Sequence, residues 1–509
     1  MPEVVEKACT PSQSAPYASG IPYLGIHADA GNSDVIACES AEAFEEGWTA
    51  LEGLGLTQPN TFSPDGMTTY ATSANPIPDG CRVHAISVET GEVLWCRSYD
   101  STAALGAVEV DSEGNLFFTT EGAVHSLTAS GDERWTVAVL DGEVVDQPWG
   151  VHFTPDGYLA TVTSSGMVYL IDRSTGETLS ELSIPEVFGF VMPAGLSLDL
   201  DVSALLPPGV IDSIEVLWGP QDSASATSGF STLLGGGAFV DNTVGIAEDG
   251  AIYVVGGGPD ESHGALVQLR TSLTENGPEL QPGWFTPING GSATSPSISK
   301  GGQYVVISDG TGSATFFDPD AVDAWIKVMD IPACNANTDS LPEPERCGVA
   351  YSHQLERDPM MGSPAIDSDG VVTFWESSLA FDESPGDRDV AAFDASGILW
   401  EKALPDDMEW LSVITVTDNH LIGTASIVTA SEQSLLTLNF PTETDDYVVV
   451  LERDTGELVW RGDLMDDGAA TVSIGPDGAL YAAVYGLISM LAIHELPDPG
   501  LVRFNPLSF

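Results

Sequence analysis

A short unit recurs along the chain, and it constrains the fold more than any other feature. Each copy opens on a turn of the form (S/D/P)-x-D/E-G and continues as an alternating strand. A third strand follows, then a tight TGE or SG turn, then a strand ending in Trp. Residues 63–97 read SPDGMTTYATSANPIPDGCRVHAISVETGEVLWCR, 110–137 read VDSEGNLFFTTEGAVHSLTASGDERWTV, and 153–182 read FTPDGYLATVTSSGMVYLIDRSTGETLSEL. Shorter copies are IAEDGAIYVVGGG (246–258), ISKGGQYVVISDG (298–310), IDSDGVVTFWESS (366–378) and IGPDGALYAAVYG (474–486), with a degenerate VTDNHLIGTAS at 416–426. The turn glycines supply the positive φ that such hairpins require. The period-2 alternation gives each strand one apolar face. A unit this small cannot bury that face alone, so neighbouring copies must stack.

Turns at Gly66, Gly114, Gly157, Gly250, Gly302, Gly370, near residue 419 and at Gly478 number eight. They predict an all-β chain: an eight-bladed β-propeller of four-stranded antiparallel blades. The wide interval between Gly157 and Gly250 holds an insertion at about 185–240 in this reading, the alternative being a ninth, ruined repeat. The last copy has strands predicted at about 470–474, 479–485 and 487–493 but no TGE…W strand after them. Near the N-terminus, EEGWTALEG carries Trp48 with no strands before it. The segment around Trp48 is therefore predicted to supply the fourth strand of the last blade, which removes exposed sheet edges. The expected organisation is a disulfide-pinned N-terminal extension at 1–45, a propeller at 46–496 with insertions at about 185–240 and 328–362 on one face, and a C-terminal tail at 497–509.

Charge narrows the range of partners. Asp and Glu total 76 against 15 Lys and Arg, a formal net charge of −61. Such a surface repels nucleic acid and anionic membranes, so no nucleic-acid partner is expected. It attracts cations and basic partners, and it suits a saline habitat where salt screens self-repulsion. Hydrophobic residues make up 43% of the chain and fall in strand-like runs, which argues against disorder. No apolar run is long enough for a transmembrane helix. The opening MPEVVEKACTPSQS lacks an apolar h-region, so an exported protein is expected here in its mature form. Six cysteines are present, none in C-x-x-C and none at zinc-ligand spacing. Their even number and local grouping predict disulfides Cys9–Cys38, Cys81–Cys96 and Cys334–Cys347, against the alternative of six buried thiols. Disulfides imply an extracellular, periplasmic or cell-surface location.

The repeat resembles that of the quinoprotein alcohol-dehydrogenase-like propellers, whose motif is close to A-x-D-x-x-T-G-x-x-x-W. Ala85, Thr90, Gly91 and Trp95 match it, with Ser87 at the Asp position. Glu452, Thr455, Gly456 and Trp460 follow the same pattern, and Asp172, Thr175 and Gly176 match with Leu179 in place of the hallmark Trp. Shorter variants end at Trp135 and Trp400. The resemblance covers about 48–495. It implies that Trp48, Trp95, Trp135, Trp400 and Trp460 dock one blade on the next. His84 and His125 occupy equivalent third-strand positions, which points to packing. Dehydrogenases of this group bind pyrroloquinoline quinone (PQQ) through adjacent cysteines, a calcium or lanthanide site and arginines. This chain has no Cys-Cys pair, few arginines and no C-x-x-C-H, so PQQ and haem are not expected. The group also contains non-catalytic scaffolds.

Strand order separates two faces. In an up-and-down blade the a–b and c–d turns share one face, and the b–c and d–a loops share the other. The a–b turns here are tight. Extra length is predicted in b–c loops at 73–80, 257–263, 377–389 and 427–446 and in d–a connections at 185–240 and 328–362, so binding is expected on the loop face. These loops carry acids, with Asp382, Glu383, Asp387 and Asp389 the candidate calcium ligands, although no complete D-x-[DN]-x-[DN]-G…E loop is present. No G-x-S-x-G, H-E-x-x-H or phosphate-loop motif occurs. The leading expectation is a secreted or surface-associated binding or scaffold module that meets a protein or extracellular ligand through the loop face. The alternatives are an enzyme with its site at the channel mouth, either a divergent quinoprotein dehydrogenase or a hydrolase or lyase, and a structural subunit of an extracellular assembly.

Overall fold

The computed structural model describes residues 16–17, 20–73, 80–99, 106–141, 144–192, 238–240, 242–275, 277–289, 292, 294–309, 324–336, 347–355, 362–376, 389–405, 408–433, 439–468, 470–485 and 499–508. Eight antiparallel sheets succeed one another along the chain, each running outward from a two-residue inner strand. The inner strands are Thr61–Phe62, Glu109–Val110, His152–Phe153, Gly245–Ile246, Ser297–Ile298, Ala365–Ile366, Thr415–Val416 and Ser473–Ile474. The inner strands of the first and second, third and fourth, fourth and fifth, and fifth and sixth blades touch, which places them around a common axis. The seventh blade carries an additional strand, Glu409–Trp410, on its second strand. The chain is an eight-bladed all-β propeller.

The inner three strands of each blade bury their side chains against the adjacent blades, and the outermost strand faces water on one side. In the second blade, Leu116–Thr120 is buried throughout while Glu133–Ala138 alternates. The turns are built by the predicted glycines: Gly66 has φ 69° and Gly114 φ 81°.

The ring closes with an N-terminal strand. Ala43–Ala50 pairs antiparallel with Gly500–Ser508, which pairs with Leu480–Val484, which in turn pairs with Ser473–Ile474. The third strand of the last blade is thus Gly500–Ser508. The strand expected at 487–493 lies outside the described residues, and 497–509 are not a tail. Pro497 and Pro499 read as the end of the fold, yet they only precede a strand that buries Leu501, Val502 and Phe504.

The expected split between a plain and an elaborated face also needs correction. In the fifth blade the third and fourth strands are Trp325–Asp330 and Val349–Gln354, joined through a short helix, Ile331–Ala336. The 328–362 insertion therefore begins as a c–d connection, on the turn face. The fourth blade extends on the same face, where His263–Thr274 and Gly277–Asn289 form a long hairpin. Sequence length alone cannot tell a c–d from a d–a insertion when a strand between them is misplaced.

Indoles tie the blades together. Trp48 Nε1 donates to Val88 O of the first blade at 3.0 Å, Trp95 Nε1 to Ala129 O of the second at 3.0 Å, and Trp135 Nε1 to Arg173 O of the third at 3.1 Å. Each ring lies flat on a turn glycine of the next blade. A Cβ on Gly91 would meet Trp48 at 2.7 Å, and one on Gly176 would meet Trp135 at 2.8 Å. Trp400 lies on Gly456 in the same way, while Trp460 packs against Phe44 and Phe504 of the last blade.

The Trp48–Gly91 contact joins the two ends of the ring, and a double-mutant cycle tests it. Trp48→Ala is expected to cost about 2–3 kcal/mol. Gly91→Val should cost more in the native background than in Trp48→Ala, where only the backbone strain at φ 73° remains. Additive losses in denaturant midpoints would contradict this packing.

Candidate functional site

The N-terminal extension does not lie on the surface. Residues 21–34 are buried except for the half-buried Ile26. The segment touches the innermost part of seven blades in turn. Pro16 O accepts from Ser112 N, and the Tyr17 ring lies 4.9 Å from that of Phe153. Tyr23 lies beside the Thr471 side chain, at the start of the eighth blade. Ile246 N donates to Ala30 O at 2.6 Å, Ile298 N to Gly31 O at 2.7 Å, Ile366 N to Ser33 O at 3.1 Å, and Val416 N to Asp34 O at 2.7 Å. A segment that reaches blades on all sides of a ring must occupy its axis, and it plugs the channel.

Both ends of the plug lie at the turn face. Pro16 meets Ser112 and Cys38 O accepts from Asp418 N, each just beyond the inner strand on the a–b side. The segment therefore enters and leaves by one face. Local chemistry makes the fold-back: the Asp29 carboxylate accepts from Gly31 N, Ser33 N and Ser33 Oγ. Ala28, Asn32 and Asp34 adopt the left-handed region, with φ of 63°, 54° and 56°. Asn32 Nδ2 bridges Val244 O at 2.9 Å and Pro296 O at 3.2 Å, stitching the plug to the fourth and fifth blades.

A chain of polar groups runs from the plug into the ring. Asp34 Oδ2 is 3.0 Å from His27 Nδ1, and His27 Nε2 is 3.1 Å from Ser295 Oγ, which donates to Asn242 Oδ1 at 2.6 Å. Nearby, Glu109 Oε1 lies 2.9 Å from His152 Nδ1, and the Tyr17 side chain faces Glu109. Loss of water pushes the Asp34 carboxyl up to about 6, opposed by His27. The same desolvation raises Glu109, opposed by His152 and Tyr17. The order Asp–His–Ser is that of an acyl-transfer triad. Ser295, however, is fully buried, and its hydroxyl proton goes to Asn242 rather than to the imidazole.

The residues singled out from sequence fall elsewhere. Asp382, Glu383 and Asp387 lie outside the described residues, and the backbone of Asp389 opens the third strand of the sixth blade. Among the described residues no group of three or more His, Cys, Asp and Glu is arranged to hold a metal ion. On the seventh-blade hairpin Asp446 is buried and pushed up to about 6 by desolvation, with Ser426 and Thr444 opposing. Disulfides Cys81–Cys96 and Cys334–Cys347 are formed. Cys38 is disulfide-bonded, and Cys9 lies outside the described residues. His84 and His125 are buried and held near a pKa of about 4 by desolvation. They bond Ser73 and Thr120 respectively.

Asn32 offers the cleanest test of the plug's anchorage. Asn32→Ala leaves two buried carbonyls without their donor, and a loss of about 2–4 kcal/mol is expected in equilibrium denaturation. A change under about 0.5 kcal/mol, the size usual for an exposed position, would contradict the arrangement.

No protein-family model and no curated protein sequence matches the chain. Solved structures do. The quinohemoprotein alcohol dehydrogenase of Comamonas testosteroni aligns over 95% of this chain and 80% of its own, with a TM-score of 0.55 and 12% identity. A europium-containing methanol dehydrogenase aligns over 95% and 98%, with a TM-score of 0.52 and 12% identity. BamB from Moraxella catarrhalis aligns over 91% and 100%, at a TM-score of 0.48 and 12% identity. With eight closed blades and the likenesses to the two dehydrogenases, the chain has the PQQ-like propeller fold.

Proposed function

We propose that the protein is a secreted or surface-associated binding propeller that meets its partner through the b–c and d–a loop face. One observation carries the reading: the chain's own N-terminal segment fills the axis and is tied down at the turn face, with Pro16 and Cys38 both there. The axis is then a structural core, and the loop face is the surface that the plug leaves uncovered. Two b–c hairpins build up that face. One turns at Asp260–His263, and the other joins His420–Gln433 to Asn439–Glu452. Loops on a rigid ring are suited to recognition because their sequence can vary without disturbing the core. A net charge of −61 favours a partner with a basic surface. Formed disulfides suit an oxidising compartment.

A second reading rests on the Asp34–His27–Ser295 line, whose spacing would suit a hydrolase at the loop-side mouth of the channel. The buried Ser295 hydroxyl weighs against it.

Two measurements separate the readings. A photo-crosslinking residue at Glu261, on the loop face, should capture a partner in native extracts, whereas one at Glu113, on the turn face, should not. Capture only through Glu113 would overturn the face assignment. A fluorophosphonate probe should leave the native protein unlabelled; labelling abolished by Ser295→Ala would establish the hydrolase.

A further inference from the structure

We propose that Tyr17 and residues 20–38 form a releasable plug, held most firmly in acid and loosened as its buried carboxylates ionise. The inference is independent of the partner-binding reading. It starts from a conflict within the channel.

Three carboxylates, Asp29, Asp34 and Glu109, sit in one desolvated space, each less than a tenth exposed. Asp29 acts by its charge on both of the others. The groups facing Asp34 are His27 and Asp29 on the plug itself, Tyr23 on the plug, and Ser295 through His27. Those facing Glu109 are His152 from the third blade and Tyr17 and Asp29 from the plug. Two imidazoles are the only basic side chains among these. Asp34 Oδ1 and Glu109 Oε2 are buried with no hydrogen-bond partner among the described residues, so each ionised carboxylate is only half satisfied.

The plug backbone is strained as well. Ala28, Asn32 and Asp34 are three non-glycine residues with positive φ within seven positions. Such strain persists only where surrounding contacts impose it. Here those contacts are the four inner-strand amides that hold Ala30, Gly31, Ser33 and Asp34. Weaken the docking, and the strain drives the segment out.

The sign follows from linkage. Burial raises Asp34 from its ordinary value of 3.8 to about 6, so the docked state binds a proton more tightly than the undocked state. The stabilisation this gives is complete below about pH 4 and is lost as pH rises through about 6. Glu109 shifts in the same direction.

Hydrogen exchange on the full-length protein tests the proposal, with rates corrected for the intrinsic pH dependence. Amide protection in residues 23–36 should fall on the order of 100-fold between pH 4 and pH 7.5, while the strand Leu480–Val484 holds its protection. Asp34→Asn, which tolerates the left-handed backbone, should remove most of that pH dependence, and Glu109→Gln should reduce it. Protection of the plug that is independent of pH would overturn the proposal. So would a fall shared equally by Leu480–Val484, because the whole ring would then be opening, or an unchanged pH dependence in both variants.

Discussion

Each blade of a propeller has an inner strand with a sheet partner on one side only. Its other backbone edge faces the axis, where unpaired amides and carbonyls are costly unless something meets them. In this protein the answer is a segment of the same chain. The amides of Ile246, Ile298, Ile366 and Val416 occupy equivalent positions in four successive blades, and all four donate to consecutive parts of the plug. The ring and its axis thus form one hydrogen-bonded body, and the rest of the structure is arranged around that contact. The Asp29 turn, the left-handed residues and the close approach of Gly245 to Asn32 all serve to bring plug carbonyls to those amides.

Residues 20–50 therefore do two jobs in sequence. They first fill the channel, then leave it at Cys38 and supply Ala43–Ala50 as the outer strand of the last blade. Trp48 on that strand lies on Gly91 of the first blade, which makes the closing joint of the same kind as the internal ones. A single stretch of chain both locks the circle and seals its centre. Its partners lie up to about 470 residues later, so neither job can be completed until nearly the whole chain has been made.

How much of this was legible in the sequence depends on whether the information was local. The DG turns and alternating strands carry their own signature, because a positive-φ glycine and a period of two are properties of a few adjacent residues. The closing strand at Trp48 could be read because an orphan Trp at one end answered an incomplete blade at the other. The third strand of the last blade could not, since Pro497, Asp498 and Pro499 look like the end of a fold although they precede a buried strand. The plug was invisible for a deeper reason. Residues 20–41 have no period, and their meaning lies in partners such as Ser295, 268 residues from His27. An unusual run of Gly, Asn, Asp and Ser, as in HADAGNSD, signals a turn but not its setting. The acids that composition made conspicuous, Asp382 to Asp389, are less informative than Asp34 and Glu109, whose environment only the fold creates.

The chain follows the dehydrogenase propellers over nearly its whole length while filling its own axis with polypeptide. The claim on which this account rests is the occupation of that axis, and an experimental density map tests it most directly. The account predicts continuous density for residues 20–38 along the channel, with Ala30 O and Gly31 O within hydrogen-bonding distance of Ile246 N and Ile298 N. A solvent-filled axis, with the N-terminal segment lying outside the ring, would contradict it.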